Sequence, residues 1–312
     1  MACGALGAMI ARRRIDTVME VVPGIHRIEG DLGERYVCQY LLVGEERTLL
    51  VDTGLRDMPA EVIAPYLATF DRSLEDLDDV LISHADVDHC GGNRALRAAA
   101  PRTRLLCGEA DRVWIESNDA MMAENYRWYE SYGFGPSADD IAFLERELGG
   151  DAPIDVGLRG GETLRLDPSW RIEVLALPGH TPGHLGLWDP RTQSAIIIDA
   201  ALGDGIYDHA GNRLIGPRYY SAADYEATIR RLRALDPEWL LTAHFPVMDR
   251  TAAHEFLDRS LAFVQAVGDA VRSAKASDLW PLTQEVGAAV GPFPSFTHEL
   301  AASVRAHLAE SA

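Results

Sequence analysis

Ser83-His84-Ala85-Asp86-Val87-Asp88-His89-Cys90-Gly91-Gly92-Asn93 places four side chains able to bind a metal, His84, Asp86, Asp88 and His89, within six residues. The run follows directly on Val80-Leu81-Ile82, so the ligands leave the end of a buried strand. Imidazole and carboxylate are usual donors to first-row metals and bind only in their neutral or deprotonated forms. A cluster this tight is therefore electrostatically costly unless a cation offsets it. The Gly91-Gly92 pair is expected to let the backbone turn tightly as it leaves the loop. A polar surface turn with two histidines is the plain alternative, and one short motif does not decide between them.

Four further segments do. They are Leu49-Leu50-Val51-Asp52-Thr53-Gly54, Pro178-Gly179-His180-Thr181-Pro182-Gly183-His184, Ile196-Ile197-Ile198-Asp199-Ala200 and Leu240-Leu241-Thr242-Ala243-His244, each following an apolar run that reads as a strand. In this order, the five motifs resemble the metallo-β-lactamase-fold superfamily, and its lactonase and glyoxalase II-like branch in particular, over roughly residues 20 to 260. One position departs from the family's His-x-His-x-Asp-His signature: Asp86 stands where the second histidine is usual.

The resemblance implies an α/β chain folded as a four-layer αββα sandwich, with two divalent metal ions along the edge shared by its sheets. By position, His84, Asp86 and His180 would hold the first ion, Asp88, His89 and His244 the second, and Asp199 would bridge them. Asp52 and His184 would stand behind these ligands. A metal-bound histidine needs its outer ring nitrogen held, and Asp52 is suited to that work, while His184 would anchor its loop.

Such a site lowers the pKa of a bridging water towards neutrality and polarises a carbonyl. The reading is a hydrolase that uses a metal-bridging hydroxide on a small carboxylic ester, lactone or thioester, with Asp88 orienting the nucleophile or accepting its proton. Lactonases of the family carry a tyrosine three residues beyond the bridging aspartate; here that residue is Leu202, which leaves Tyr207, Tyr219 and Tyr220 as substitutes. Asp86 raises the site's carboxylates to three against two divalent ions, which weakens its pull on the hydroxide. Each unit by which the water's pKa rises corresponds to about 1.4 kcal/mol. A carboxylate also shifts preference from zinc towards iron or manganese. Glutamate at this position occurs in the oxygen-reducing diiron branch, so a nonhydrolytic iron enzyme acting on oxygen or a thiol is the alternative. A nuclease and a noncatalytic metal-binding protein stand behind it.

The 312 residues are 47% hydrophobic and 25% charged, the composition of a globular protein with room for one large domain and an appendage. Lys and Arg total 29 against 48 Asp and Glu, for a net charge of -19, which disfavours nucleic acid as a partner. No apolar stretch approaches bilayer length, so no membrane partner is expected. Cys3, Cys38, Cys90 and Cys107 show no CxxC or regular spacing, which fits reduced thiols in the cytoplasm, with Cys90 as a small buried residue filling space. A small molecule is the expected substrate, and a homodimer is compatible with the chain.

Residues 1–18 read as an extension, 19–274 as the main domain and 275–312 as a helical C-terminal module. Strand-like runs up to Val51 suggest a meander. Helical spacing over Met58 to Phe70 and Gly92 to Ala100 then alternates with strands at Asp79 to Ser83 and Thr103 to Cys107. An aromatic and Met-rich insert near 109–150 interrupts this alternation, and from it Tyr126 and Trp128 are expected to face substrate. A second strand series runs from Glu162 to Asp199, followed by the helix Ala222 to Leu235, the strand Trp239 to Thr242 and helix from Asp249 to about Ala274.

Overall fold

The apolar runs before Asp52 are cut by short turns, so the chain folds back on itself three times in succession. The computed structural model describes residues 19–310; the extension expected over residues 1–18, with Cys3, lies outside them. Strands β1 (Met19–Val22), β2 (Ile25–Leu32), β3 (Arg35–Val43) and β4 (Thr48–Val51) pair antiparallel in order. Then β5 (Asp79–Ile82), β6 (Arg104–Gly108) and β7 (Val156–Leu158) add in parallel and complete a seven-stranded sheet in chain order. Parallel neighbours need crossovers. Helices Ala64–Ala68 and Asn93–Ala99 lie in the first two, and the aromatic insert is the third.

The second sheet uses β8 (Thr163–Arg165), β9 (Arg171–Ala176), β10 (Leu185–Asp189) and β11 (Ser194–Ile198). A two-stranded ribbon, β12 (Ile206–Tyr207) with β13 (Arg213–Ile215), precedes β14 (Trp239–Thr242) and β15 (Met248–Asp249). The spatial order is β15-β14-β11-β10-β9-β8, with β11 and β14 parallel across the crossover helix Ala222–Leu235.

Alternation along the strands assigns the layers. Leu49 and Val51 of β4 face the space between the sheets, where they meet Ile172, Val174, Leu187 and Ile196. Leu50 points the other way, onto Ile63, Tyr66 and Leu67. In β11, Ile196 and Ile198 face the inter-sheet core while Ala195 and Ile197 face Tyr225, Ile229 and Phe256. Strands buried on both faces read as unbroken apolar runs, which is why Val80-Leu81-Ile82 shows no polar alternation. Each buried aliphatic side chain stabilises by roughly 2 kcal/mol, and a one-residue slip would exchange every inward group for an outward one. The result is the four-layer αββα sandwich.

Asp249 caps the helix Arg250–Ser273 by accepting from Ala252 N at 2.9 Å. Helices Leu279–Val290 and Leu300–Glu310 pack beside it around Phe263, Val267, Leu282, Val286 and Val304, and Tyr129 of the insert is buried in the same cluster. No described helix is long and apolar enough to cross a membrane.

The glycine pair behaves differently from the expectation. Gly91 (φ -57°) and Gly92 (φ -80°) are ordinary right-handed residues, so no special turn requires them. Close approach does: a Cβ on Gly91 would lie 2.3 Å from Glu147 O, and one on Gly92 2.6 Å from Thr53 O. The pair lets this helical turn pack flush against its neighbours.

Candidate metal centre

The loops that carry Asp52, residues 84–89, His180, Asp199 and His244 leave the ends of β4, β5, β9, β11 and β14, so these strand ends deliver their side chains to one rim. Two of these exits are strained. Asp52 has φ +66°, and Ile198, a β-branched residue just before Asp199, has φ +51° where the pairing of β11 with β14 slips between Ile196 and Ile198. Such conformations cost on the order of 1–3 kcal/mol each. Here they aim a carboxylate at the ligand loops and another into the cleft.

The strand ends bring two donor groups together. His84, His180 and Asp199 form one and Asp88, His89 and His244 the other, with ligand atoms in each group within 4.8 Å of one another. Asp199 Oδ2 is 3.6 Å from His89 Nε2 and 3.3 Å from His244 Nε2, so its carboxylate stands between the groups. Asp88 reaches His89 Nε2 at 3.7 Å through one oxygen and His244 Nε2 at 3.6 Å through the other.

The outer ring nitrogen of each of the four histidines is held. His89 Nδ1 donates to Asp52 Oδ2 at 2.9 Å. Ser83 Oγ lies 2.9 Å from His84 Nδ1 and donates to the same Asp52 oxygen at 2.8 Å, so one carboxylate fixes two rings. His180 Nδ1 donates to Arg218 O at 2.6 Å and His244 Nδ1 to Tyr36 O at 2.9 Å. Held through the outer nitrogen, each ring directs its Nε2 into the site, the orientation that metal-bound histidines need.

The residues present fit such an ion. Sealed from water, His84 Nε2, His89 Nε2 and Asp199 Oδ1 are satisfied by no well-formed hydrogen bond, a costly state for buried polar atoms. The acids also demand positive charge. Burial opposes a charged His89, yet Asp88 and Asp199 hold its pKa well above the imidazole range, and His244 and His89 hold Asp199 well below the carboxylate range against its own burial. His84, buried beside His89, is pushed down to about 4 and stays neutral.

Asp86 has surroundings the sequence does not announce. Its Oδ2 faces His84 Nε2 at 3.3 Å and His180 Nε2 at 3.1 Å, the direction of the first donor group. Its Oδ1 contacts Nη2 of Arg218 and accepts from Tyr126 Oη and Asn125 Nδ2, both at 3.2 Å. Burial would raise the pKa of Asp86, but Arg218 and the two histidines hold it well below the carboxylate range. The three carboxylates are thus opposed by a guanidinium as well as by any metal, which removes the premise of a site left one positive charge short.

Of the expected substrate contacts, Tyr126 lines the cleft, with its hydroxyl committed to Asp86 and to Val87 N, from which it accepts at 2.8 Å. Tyr220 stands behind the site and donates to Asn125 Oδ1 at 2.6 Å. Trp128, Tyr207 and Tyr219 are elsewhere. Trp128 stacks on Tyr129 at 3.9 Å beneath Arg305, as part of the C-terminal helical cluster. Tyr207 donates to Asp204, and Tyr219 is fully buried against Tyr225. Aromatic composition cannot separate wall from core, because both use large apolar side chains. His184 stacks on the His84 ring at 4.7 Å, while its backbone oxygen accepts from Leu177 N. Cys90 is buried and donates to Asp86 O at 3.1 Å.

Sequence reasoning missed Arg218, Asn125, Asp111 and Glu299. Asp111 accepts from Gly183 N at 2.6 Å, from Ala85 N at 3.3 Å and from the Thr181 hydroxyl, so it ties the His84 loop to the His180 loop. Only the uncompensated charge of Asp86 hinted that a cation must face it. Phe143, Leu144, Leu202, Ile206, Ile215 and Phe296 wall the cleft above the donors, and Arg35 and Glu299 also line it.

The sequence profile of the Metallo-beta-lactamase superfamily matches residues 32–244, more than half of the chain and every donor named above. The chain belongs to this superfamily. Among curated relatives of this superfamily member, the hydroxyacylglutathione hydrolase GloC of Haemophilus influenzae is 26% identical over 63% of this chain and 76% of its own. A hydroxyacylglutathione hydrolase of Methylococcus capsulatus is 28% identical over 74% and 69%. A probable metallo-hydrolase of Bacillus subtilis, YqjP, is 23% identical over 67% and 66%. Other relatives match over as little as 51% of their own length. Among solved structures, a metallo-beta-lactamase family protein from Thermus thermophilus superposes with a TM-score of 0.70 at 21% identity, covering 93% of this chain and 94% of its own. A Beta-lactamase domain protein from Burkholderia ambifaria reaches 0.68 at 19%, covering 93% and 86%.

Proposed function

We propose that this chain is a metal-dependent hydrolase of small carboxylic thioesters, with esters and lactones as related substrates. One observation carries the reading: four imidazole Nε2 atoms and the carboxylates of Asp86, Asp88 and Asp199 converge at the floor of an apolar cleft, each ring oriented by a partner on its other nitrogen. The names of the hydroxyacylglutathione hydrolase relatives favour a thioester over the other acyl groups.

His84, Asp86 and His180 would hold one divalent ion, Asp88, His89 and His244 a second, and Asp199 would serve both. When bound, these ions supply a water acidified towards neutral pH and an electrophile for the substrate carbonyl. Asp88, at the cleft face, orients that water and takes its proton. Leu202, Ile215 and Phe296 exclude bulk solvent and receive the acyl portion. The hydroxyl of Tyr126, which lines the cleft, is committed to Asp86 and Val87 N and so is not free to serve the oxyanion.

The test is a metal-replete assay against glutathione thioesters, simple acyl thioesters and lactones. Thioester turnover should fall by about a hundredfold or more in Asp88→Ala, and no oxygen should be consumed. Turnover unchanged by that substitution would sink the proposal, and oxygen uptake would transfer the assignment to iron redox chemistry.

A further inference from the structure

Arg218 touches two neighbouring donors with two different groups. Its backbone oxygen accepts from His180 Nδ1, and its guanidinium contacts Asp86 Oδ1. Both side chains are buried, at 4% and 11% exposure, so solvent does little to screen the pair. The division of the carboxylate is specific. Oδ1 receives Arg218, Tyr126 and Asn125, whereas Oδ2 faces His84 and His180. The donors are themselves anchored: Asn125 Nδ2 donates to Ala85 O at 2.6 Å, and its carboxamide oxygen accepts from Tyr220.

The loop that carries Arg218 is braced from the C-terminal helices. Ser303 Oγ donates to Pro217 O at 2.8 Å and accepts from Tyr219 N at 3.1 Å, and Glu299 Oε1 lies 3.7 Å from the second guanidinium nitrogen. The backbone on either side of Arg218 is thus fixed without Asp86, while the guanidinium itself has its close contact with Asp86 and a longer one with Glu299.

We propose that Arg218 is a positioning and charge-compensating residue for the first metal: with Asp86 it forms a neutral pair that takes the electrostatic place of one imidazole and leaves Oδ2 as the single donor of that carboxylate. The inference rests on the dinuclear reading. Asp86 alone would add a negative charge to the donor set, and the guanidinium cancels it at contact distance. It follows that the two residues are interdependent. A histidine at position 86 would leave the buried Arg218 with only the longer Glu299 contact to offset its charge beside a divalent cation, which repels the metal.

The experiment is a double-mutant cycle on metal affinity, measured by chelator competition with Zn2+ and with Mn2+ on the full chain. It uses wild type, Asp86→His, Arg218→Gln and the double variant, with circular dichroism to verify folding. Arg218→Gln should weaken metal binding about tenfold or more in the wild-type background and strengthen it in the Asp86→His background. Arg218→Lys, which keeps the charge but loses the planar fork, should fall between wild type and Arg218→Gln and serves where the glutamine variant does not fold. A change of equal size and sign in both backgrounds overturns the pairing and leaves the hydrolase reading standing. A wild-type chain that binds no metal overturns both. Coupling of opposite sign in a protein that turns over no thioester would uphold the pair and sink only the function proposed above.

Discussion

Asp111, just beyond the end of β6, accepts from the backbone nitrogen of Gly183 at 2.6 Å, and this bond, with a second from the Thr181 hydroxyl, ties it to the loop that carries His180. The same carboxylate accepts from Ala85 N, so the two loops that supply His84 and His180 share a single anchor. Burial pushes its pKa up to about 6 although the Thr181 hydroxyl and the two amides favour the charged form. Asp111→Asn would set an NH2 group against one of these donors. We expect a loss of about 1–3 kcal/mol, measured by urea unfolding at neutral pH. Unchanged stability together with unchanged metal retention would show that the loops hold themselves.

Asp52 fixes His89 directly and His84 through Ser83. Asp52→Ala should weaken metal affinity by about 10–100-fold although Asp52 stands behind the rings, and chelator competition measures it. A variant that retains wild-type affinity would mean that packing alone orients both rings.

Trp128 packs in the helical cluster and does not line the cleft. Trp128→Ala should cost about 3 kcal/mol of stability, the low end for a tryptophan because its ring is only partly buried, while leaving KM within about twofold. A large rise in KM with unchanged stability would return this residue to the substrate.

His298 is nearly buried against the Tyr129 ring at 5.1 Å, and burial lowers its pKa to about 4. The unfolded chain therefore binds this proton first as pH falls below the free-imidazole value of 6.5. The folded state has the full contribution at pH 7, loses it progressively between about 6.5 and 4, and below 4 the loss levels off. The span is on the order of 3 kcal/mol. His298→Leu should flatten this part of the stability profile, read as denaturation midpoints at pH 7 and pH 4.5 against wild type. Parallel profiles would assign the acid sensitivity elsewhere.

The strand before the motif and the strands before Asp52, Asp199 and His244 were readable because both of their faces are buried, which leaves unbroken apolar runs that end in a polar residue. The helix Ala222–Leu235 and strand Trp239–Thr242 have the bounds their spacing implies. The segment expected as one helix from Met58 to Phe70 is wound more loosely over Pro59–Ile63 and regular only over Ala64–Ala68. The short β7 and the β12–β13 ribbon carried no pattern of their own, since two or three residues show no period.

Local order along the chain determined which residues could serve as ligands, because strand ends and close motif spacing are one-dimensional features. The tertiary structure alone decided what surrounds them. Asp86 and Arg218 are 132 residues apart in sequence, and Asp111 meets Gly183 across 72. A buried charge selects its partner through space, where a low dielectric makes an unpaired ion costly; no periodicity records that choice. The sequence therefore displayed the anomaly at position 86, and only the folded chain supplied the cation that answers it.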